Sequence, residues 1–102
     1  MEKIENIKVE LDGVAFGRIY KFDDDKYSVY FEGLKVDSDF QKQGYGNKIL
    51  KMLESFGKSL GATKSYLWVN EYTWMCDWYK RNGYVYLRNY EEKNYIWLVK
   101  TL

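Results

Sequence analysis

Apolar and polar residues alternate unevenly over residues 4–10 (IENIKVE) and resume alternating at residues 14–22 (VAFGRIYKF). Between the two runs stands Asp12-Gly13, a pair suited to a tight turn, so they are predicted to form a hairpin. The acidic turn Asp23-Asp24-Asp25 leads into a third strand over residues 27–36 (YSVYFEGLKV). Gly33 interrupts that strand, and a lone glycine in a strand marks a bulge or a close approach. The period then changes. Between Gly46 and Leu60, apolar residues recur at Ile49, Leu50, Leu53, Phe56 and Leu60, the spacing of one helical face, and Gly61 supplies the stop. Residues 64–69 (KSYLWV) are too few for a helix and read as a strand. A second helix over residues 73–82 pairs Trp74 with Trp78 and Met75 with Tyr79, and Gly83 closes it. Two last strands, 84–89 and 95–101, flank a polar turn. The predicted order is β-β-β-α-β-α-β-β, a single domain over residues 1–102.

Composition narrows the chemistry. The chain has 102 residues, of which 46% are apolar and 20% aromatic, enough large side chains to build a core in a small domain. The net charge of +1 does not recommend a polyanion partner, so nucleic acid is disfavoured. No apolar run is long enough to span a bilayer, and MEKIENIKVE is not a signal peptide. One cysteine, Cys76, and no histidine remove thiolate and imidazole metal sites and histidine acid–base catalysis. A lone cysteine also favours a reducing, cytoplasmic setting. Any chemistry falls to carboxylates, tyrosines, lysines, hydroxyls, backbone or water.

The stretch FQKQGYGNKIL (residues 40–50) joins strand to helix. A helix start leaves N–H groups without intrahelical partners, and glycines let a ligand approach them, which together suit phosphate or pyrophosphate. The dinucleotide fingerprint G-x-G-x-x-G fails because Ile49 stands where a third glycine belongs, and the P-loop spacing fails too. The pattern Q/R-x-x-G-x-G/A is met by Gln41, Gly44 and Gly46.

That pattern resembles motif A of the GNAT superfamily of N-acetyltransferases, with Leu34 and Val36 ending the strand before it. The resemblance extends through the amphipathic helix and the YLWV strand to Tyr79-Lys80-Arg81-Asn82-Gly83-Tyr84, similar to the family's Y-x-x-x-G-F element. It implies an α/β (α+β) fold with a mixed, mostly antiparallel sheet and a splayed parallel pair at the cofactor cleft. It implies acetyl-CoA as co-substrate, with pyrophosphate on the N–H groups of Gln43, Gly44, Tyr45, Gly46 and Asn47, and charge from Lys42 and Lys48. Pantetheine is expected between residues 33–36 and Tyr66-Leu67-Trp68-Val69, beside Leu34 and Val36. The resemblance gives Tyr79 the role of proton donor to the leaving sulfur. A lysine-like acceptor needs a base, because removing its proton at neutral pH costs about 4–5 kcal/mol. Glu32 beside Gly33 is the first candidate and Glu71 the second. No metal is implied.

Two departures bear on this expectation. Tyr72 stands where the family often has an asparagine seven residues before the catalytic tyrosine, so Asn70 either contacts the cofactor instead or caps the second helix. Only two strands precede residues 27–36, whereas the family usually opens with a strand and two helices that wall the acceptor pocket. An open cleft suits a protein or peptide amine, or completion by a second subunit in a homodimer. Two other classes stay open. One is a non-catalytic CoA-binding or protein-interaction module on the same fold. The other is an aromatic β-protein that stacks on a partner or on single-stranded nucleic acid.

Overall fold

The computed structural model describes residues 2–102, Glu5 by its backbone alone. The chain forms β1 (Lys3–Leu11), β2 (Ala15–Phe22), β3 (Asp25–Val36), α1 (Tyr45–Ser59), β4 (Lys64–Asn70), α2 (Trp74–Arg81), β5 (Val85–Asn89) and β6 (Tyr95–Thr101), in the predicted order. A single turn of 3-10 helix, Ser38–Phe40, is added between β3 and α1. The six strands lie in one sheet in the order β1-β2-β3-β4-β6-β5. Every described pair is antiparallel except β3–β4.

Local chemistry accounts for the first hairpin. Asp12 and Gly13 both have positive φ, 53° and 70°, and Val14 N–H bonds the Leu11 carbonyl at 3.1 Å. That is the mirror-image turn whose twist matches two antiparallel strands. Strands β3 and β4 must run parallel because α1 carries the chain back across the sheet between them.

Both helices pack on the same face of the sheet. Ile49, Leu50 and Leu53 of α1 and Cys76 and Tyr79 of α2 join Ala15, Ile19, Val29, Phe31, Leu67, Val69, Ile96 and Leu98 in one buried cluster. Burying a Leu or Ile side chain here stabilises the fold by about 1.5–3 kcal/mol each. Gly57 also sits on this seam, where a Cβ would stand 2.9 Å from Val29 Cγ2, so the helix lies against the sheet there with no room for a side chain. The buried stripe of α1 therefore runs Ile49, Leu50, Leu53, Gly57. Phe56, expected on that face, is pushed to its margin and is 42% exposed.

A polar network pins the layers together. The Ser65 hydroxyl lies 2.8 Å from the Tyr84 hydroxyl, which donates to Glu54 Oε2 at 3.1 Å. Lys100 Nζ bonds both Glu54 oxygens, at 3.1 and 3.0 Å. Thus β4, β6, the turn after α2 and the middle of α1 share one hydrogen-bonded cluster. No described helix is long and apolar enough to cross a membrane.

Candidate active site

The site begins at the bulge in β3. The β2–β3 register passes from Phe16↔Lys35 to Arg18↔Glu32, leaving an extra residue on β3 beside Gly33, whose φ is +66°. A glycine adopts that left-handed conformation without steric penalty. The parallel β3–β4 ladder holds only Ser28↔Lys64, Val29↔Ser65 and Tyr30↔Tyr66. Beyond those pairs β3 runs on to Val36 and β4 to Asn70 without pairing to each other. The strands thus diverge into a slit edged by backbone groups that an extended ligand can pair with.

The slit opens toward the N-terminus of α1. Gly44 precedes that helix with φ +86° and makes no side-chain cap, and the first intrahelical bond is from Lys48 N–H to the Gly44 carbonyl at 3.1 Å. The N–H groups of Tyr45, Gly46 and Asn47 have no hydrogen-bond acceptor among the described residues. Free N–H groups at the positive end of a helix dipole attract an anion. Lys42, at φ 64°, stands at the edge of the same loop. Gln41 holds the loop in shape, its Nε2 donating to the Val36 carbonyl at 3.1 Å.

Between this loop and α2 lies a cleft of about 730 Å³. Leu34, Val36, Gln41, Gly44, Gly46 and Asn47, all expected at a cofactor site, line it together. The opposite wall is Trp74, Met75 and Trp78 of α2. In the sequence these residues read only as a helix face. Their signal was the aromatic i,i+4 pair, whose direction depends on how α2 docks.

The other expected site residues lie elsewhere. Gln43 donates to the Asp39 carbonyl at 3.2 Å within the loop. The Tyr45 hydroxyl points to Asp12 at 3.5 Å, and the Lys48 ammonium sits 5.5 Å over the Tyr45 ring. Asn70 accepts the Tyr72 N–H at 2.9 Å and so shapes the turn into α2. Glu71 is exposed just after β4. Glu32 is exposed on the sheet face opposite the helices, across from Arg18 and beside Gly33.

Tyr79 is 6% exposed, its ring against Trp78 and Tyr84 at 5.0 and 5.7 Å between centroids. Burial pushes its phenol well above the ordinary tyrosine value. No described residue hydrogen-bonds its hydroxyl, and no described buried side-chain oxygen lacks a partner. The hydroxyl therefore reaches an accessible point although the ring is enclosed. Tyr84, also held protonated by burial, spends its hydroxyl on Ser65 and Glu54.

The family profile described as "Acetyltransferase (GNAT) family" matches residues 7–84. No curated protein matches the sequence. Among solved structures, an acetyltransferase from Bacillus cereus superposes with a TM-score of 0.75 at 19% identity, over 99% of this chain and 74% of that one. A GNAT family acetyltransferase from Elizabethkingia anophelis with acetyl-CoA bound gives 0.75 at 18% identity, over 91% and 72%. The PaiA N-acetyltransferase from Thermoplasma acidophilum, in complex with coenzyme A, gives 0.77 at 14% identity, over 91% of this chain and 57% of that one. At such identities the likeness is one of fold.

Proposed function

The chain belongs to the GNAT acetyltransferase family, and on that premise we propose that it transfers an acetyl group from acetyl-CoA to a primary amine of a protein or peptide. The transfer is by direct attack within a ternary complex. The observation that carries this reading is the continuity of two features. The β3–β4 slit opens into a cleft that ends at the unpaired N–H groups of α1.

Each part of the site then has a task. The N–H groups of Tyr45, Gly46 and Asn47 hold the pyrophosphate of acetyl-CoA, with Lys42 adding charge at the loop. Trp74, Met75 and Trp78 supply an apolar wall facing the loop and the end of β3, along which the pantetheine arm leads away from the pyrophosphate. The free edge of β3 around Leu34 and Val36 pairs with the amides of the pantetheine arm, as an added strand would. A backbone N–H near Gly33 polarises the thioester carbonyl as its oxygen gains charge. Glu32, on β3 beside Gly33 and on the sheet face opposite the helices, takes the proton from the incoming ammonium, directly or through one water. The amine nitrogen adds to the carbonyl carbon, and as the carbonyl re-forms the carbon–sulfur bond breaks, the sulfur leaves with the electron pair and the nitrogen gives its second proton to water. Tyr79 donates to that sulfur. Its desolvated phenol stays neutral, so it arrives carrying its proton, and its raised pKa makes the hydrogen bond to sulfur its main contribution.

Acetyl-CoA binding is the first test. A ligand that binds only the folded state raises Tm, by an amount equivalent to about 2.7 kcal/mol at a hundredfold excess over Kd. An unchanged Tm at saturating acetyl-CoA refutes the reading. Binding without acetylation of any peptide or protein, followed by mass spectrometry, points instead to a non-catalytic CoA-binding module.

A further inference from the structure

Both helices cover one face of the sheet, and the opposite face has no described element over it. Strand alternation places Tyr30, Tyr66, Trp68 and Trp97 on that open face, joined by Tyr90. Their rings touch in series, Tyr30–Tyr66 at 5.3 Å, Tyr30–Trp97 at 5.9 Å, Trp97–Tyr90 at 5.4 Å and Tyr90–Trp68 at 5.3 Å. They form an apolar floor on the β4 side of the slit, and Trp68 remains 38% exposed.

The other side of the slit is cationic. Three neighbouring strands place Lys8, Arg18 and Lys35 around a depression of about 340 Å³ that also includes Glu32 and Gly33. Lys8 is paired with Arg18 across β1–β2, so two like charges stand side by side. Among the described residues none of the three cations is in an ion pair. Arg18 bonds only the Asn6 side chain, at 3.2 Å, and the Lys8 ammonium rests 5.4 Å over the Phe16 ring. Like charges directly opposite across a ladder destabilise it unless an anion lies between them. The net charge of the whole chain is +1, so this concentration of positive charge is local.

We propose that the acceptor is an acidic polypeptide segment. A side-chain carboxylate close to its target amine docks between Lys8, Arg18 and Lys35, while its backbone crosses the slit onto the Trp68–Tyr90 floor. The amine is thereby delivered to Glu32, the one carboxylate among the described residues that line the depression. Glu32 pairs with the incoming ammonium, and the cations neutralise the acidic flank. A nucleic-acid strand is the less suitable occupant, because Glu32 interrupts the cations where a run of phosphates would pass. This inference rests on the acetyl-transfer reading for its chemistry but not for its docking surface.

The test uses the full chain with coenzyme A and two fluorescein-labelled peptides, each with one central lysine. One peptide is flanked by Asp and Glu, the other by Arg and Gln. Fluorescence anisotropy should show the acidic peptide binding about tenfold more tightly, an advantage that shrinks between about 0.05 and 0.5 M NaCl as screening grows. Lys8→Gln with Arg18→Gln should abolish the advantage while acetyl-CoA affinity stays unchanged and Tm holds or rises, since two like charges facing across the ladder are removed. Equal binding of the two peptides, or an advantage that survives the double substitution, overturns the proposal. Tighter competition by a uridine decanucleotide than by unlabelled acidic peptide overturns it in favour of nucleic acid. The two readings fail separately. Loss of the acetyl-CoA effect on Tm removes acetyl transfer while leaving peptide docking measurable, and turnover that is indifferent to flanking charge removes only the acidic acceptor.

Discussion

Gly46 in the first turn of α1 faces Trp78 of α2 so closely that a Cβ on Gly46 would stand 3.4 Å from the indole Cζ2. A Cβ alone would rest there in ordinary van der Waals contact, so a side chain larger than alanine is needed to displace the indole. Gly46→Val pushes the indole into the cleft. Acetyl-CoA affinity, read by isothermal titration calorimetry, is expected to fall about tenfold, equivalent to about 1.4 kcal/mol. Trp78→Ala should weaken binding comparably by removing the wall.

Gly44 tests the loop from its backbone. At φ +86° any residue with a Cβ is strained, although nothing lies within 4 Å of the position such an atom would take. Gly44→Ala should lower stability by about 1–2 kcal/mol in a urea titration, through the left-handed penalty alone.

Tyr79→Phe separates chemistry from folding. Its hydroxyl has no hydrogen-bond partner among the described residues, so the substitution should shift stability by less than about 0.5 kcal/mol. Acetyl-CoA affinity should hold while turnover falls about a hundredfold, the lower range for a lost proton donor. Turnover equal to that of the unaltered protein would remove Tyr79 from the site.

Glu54 is the hub of the polar network. Glu54→Ala leaves Tyr84 and Lys100 without their acceptor and should destabilise by about 1–3 kcal/mol in denaturant titration. Glu54→Gln keeps an acceptor for Tyr84 and should lose less.

Alkaline pH tests the buried phenols. Burial raises Tyr79 and Tyr84 above the ordinary tyrosine value of about 10, so the folded state holds two protons that the unfolded chain releases near that pH. Their contribution to stability is complete below pH 10 and declines as pH rises above it. Tm should therefore fall with increasing alkalinity. Tyrosinate absorbance from these two residues should appear only with unfolding. Tyr79→Phe and Tyr84→Phe together should flatten the alkaline decline, although the second also removes a network bond.

Much of this site is readable along the chain because its parts are local. Gln41, Gly44 and Gly46 lie within six residues, Gly33 interrupts a strand by itself, and helix periodicity follows from the neighbours of each residue. Trp74 and Trp78 were visible as a pair but not as a cleft wall, since helical spacing says that two side chains share a face and not what that face meets. Gly57 was silent for a similar reason. A glycine contributes nothing to a hydrophobic stripe, yet here its missing side chain is what lets α1 lie against Val29.

The sequence by itself determined the order of the elements, the bulge at Gly33 and the glycine-rich helix start, because each follows from backbone preference or short-range periodicity. Only the tertiary structure decided that α1 and α2 share one side of the sheet, which leaves Glu32 on the opposite side, beside the slit where β3 and β4 part. It also brings Lys8, Arg18 and Lys35 together from three strands, where the sequence offers only scattered charges in a nearly neutral chain. Face and proximity are set by register and docking, which depend on contacts between distant segments. No local pattern records them.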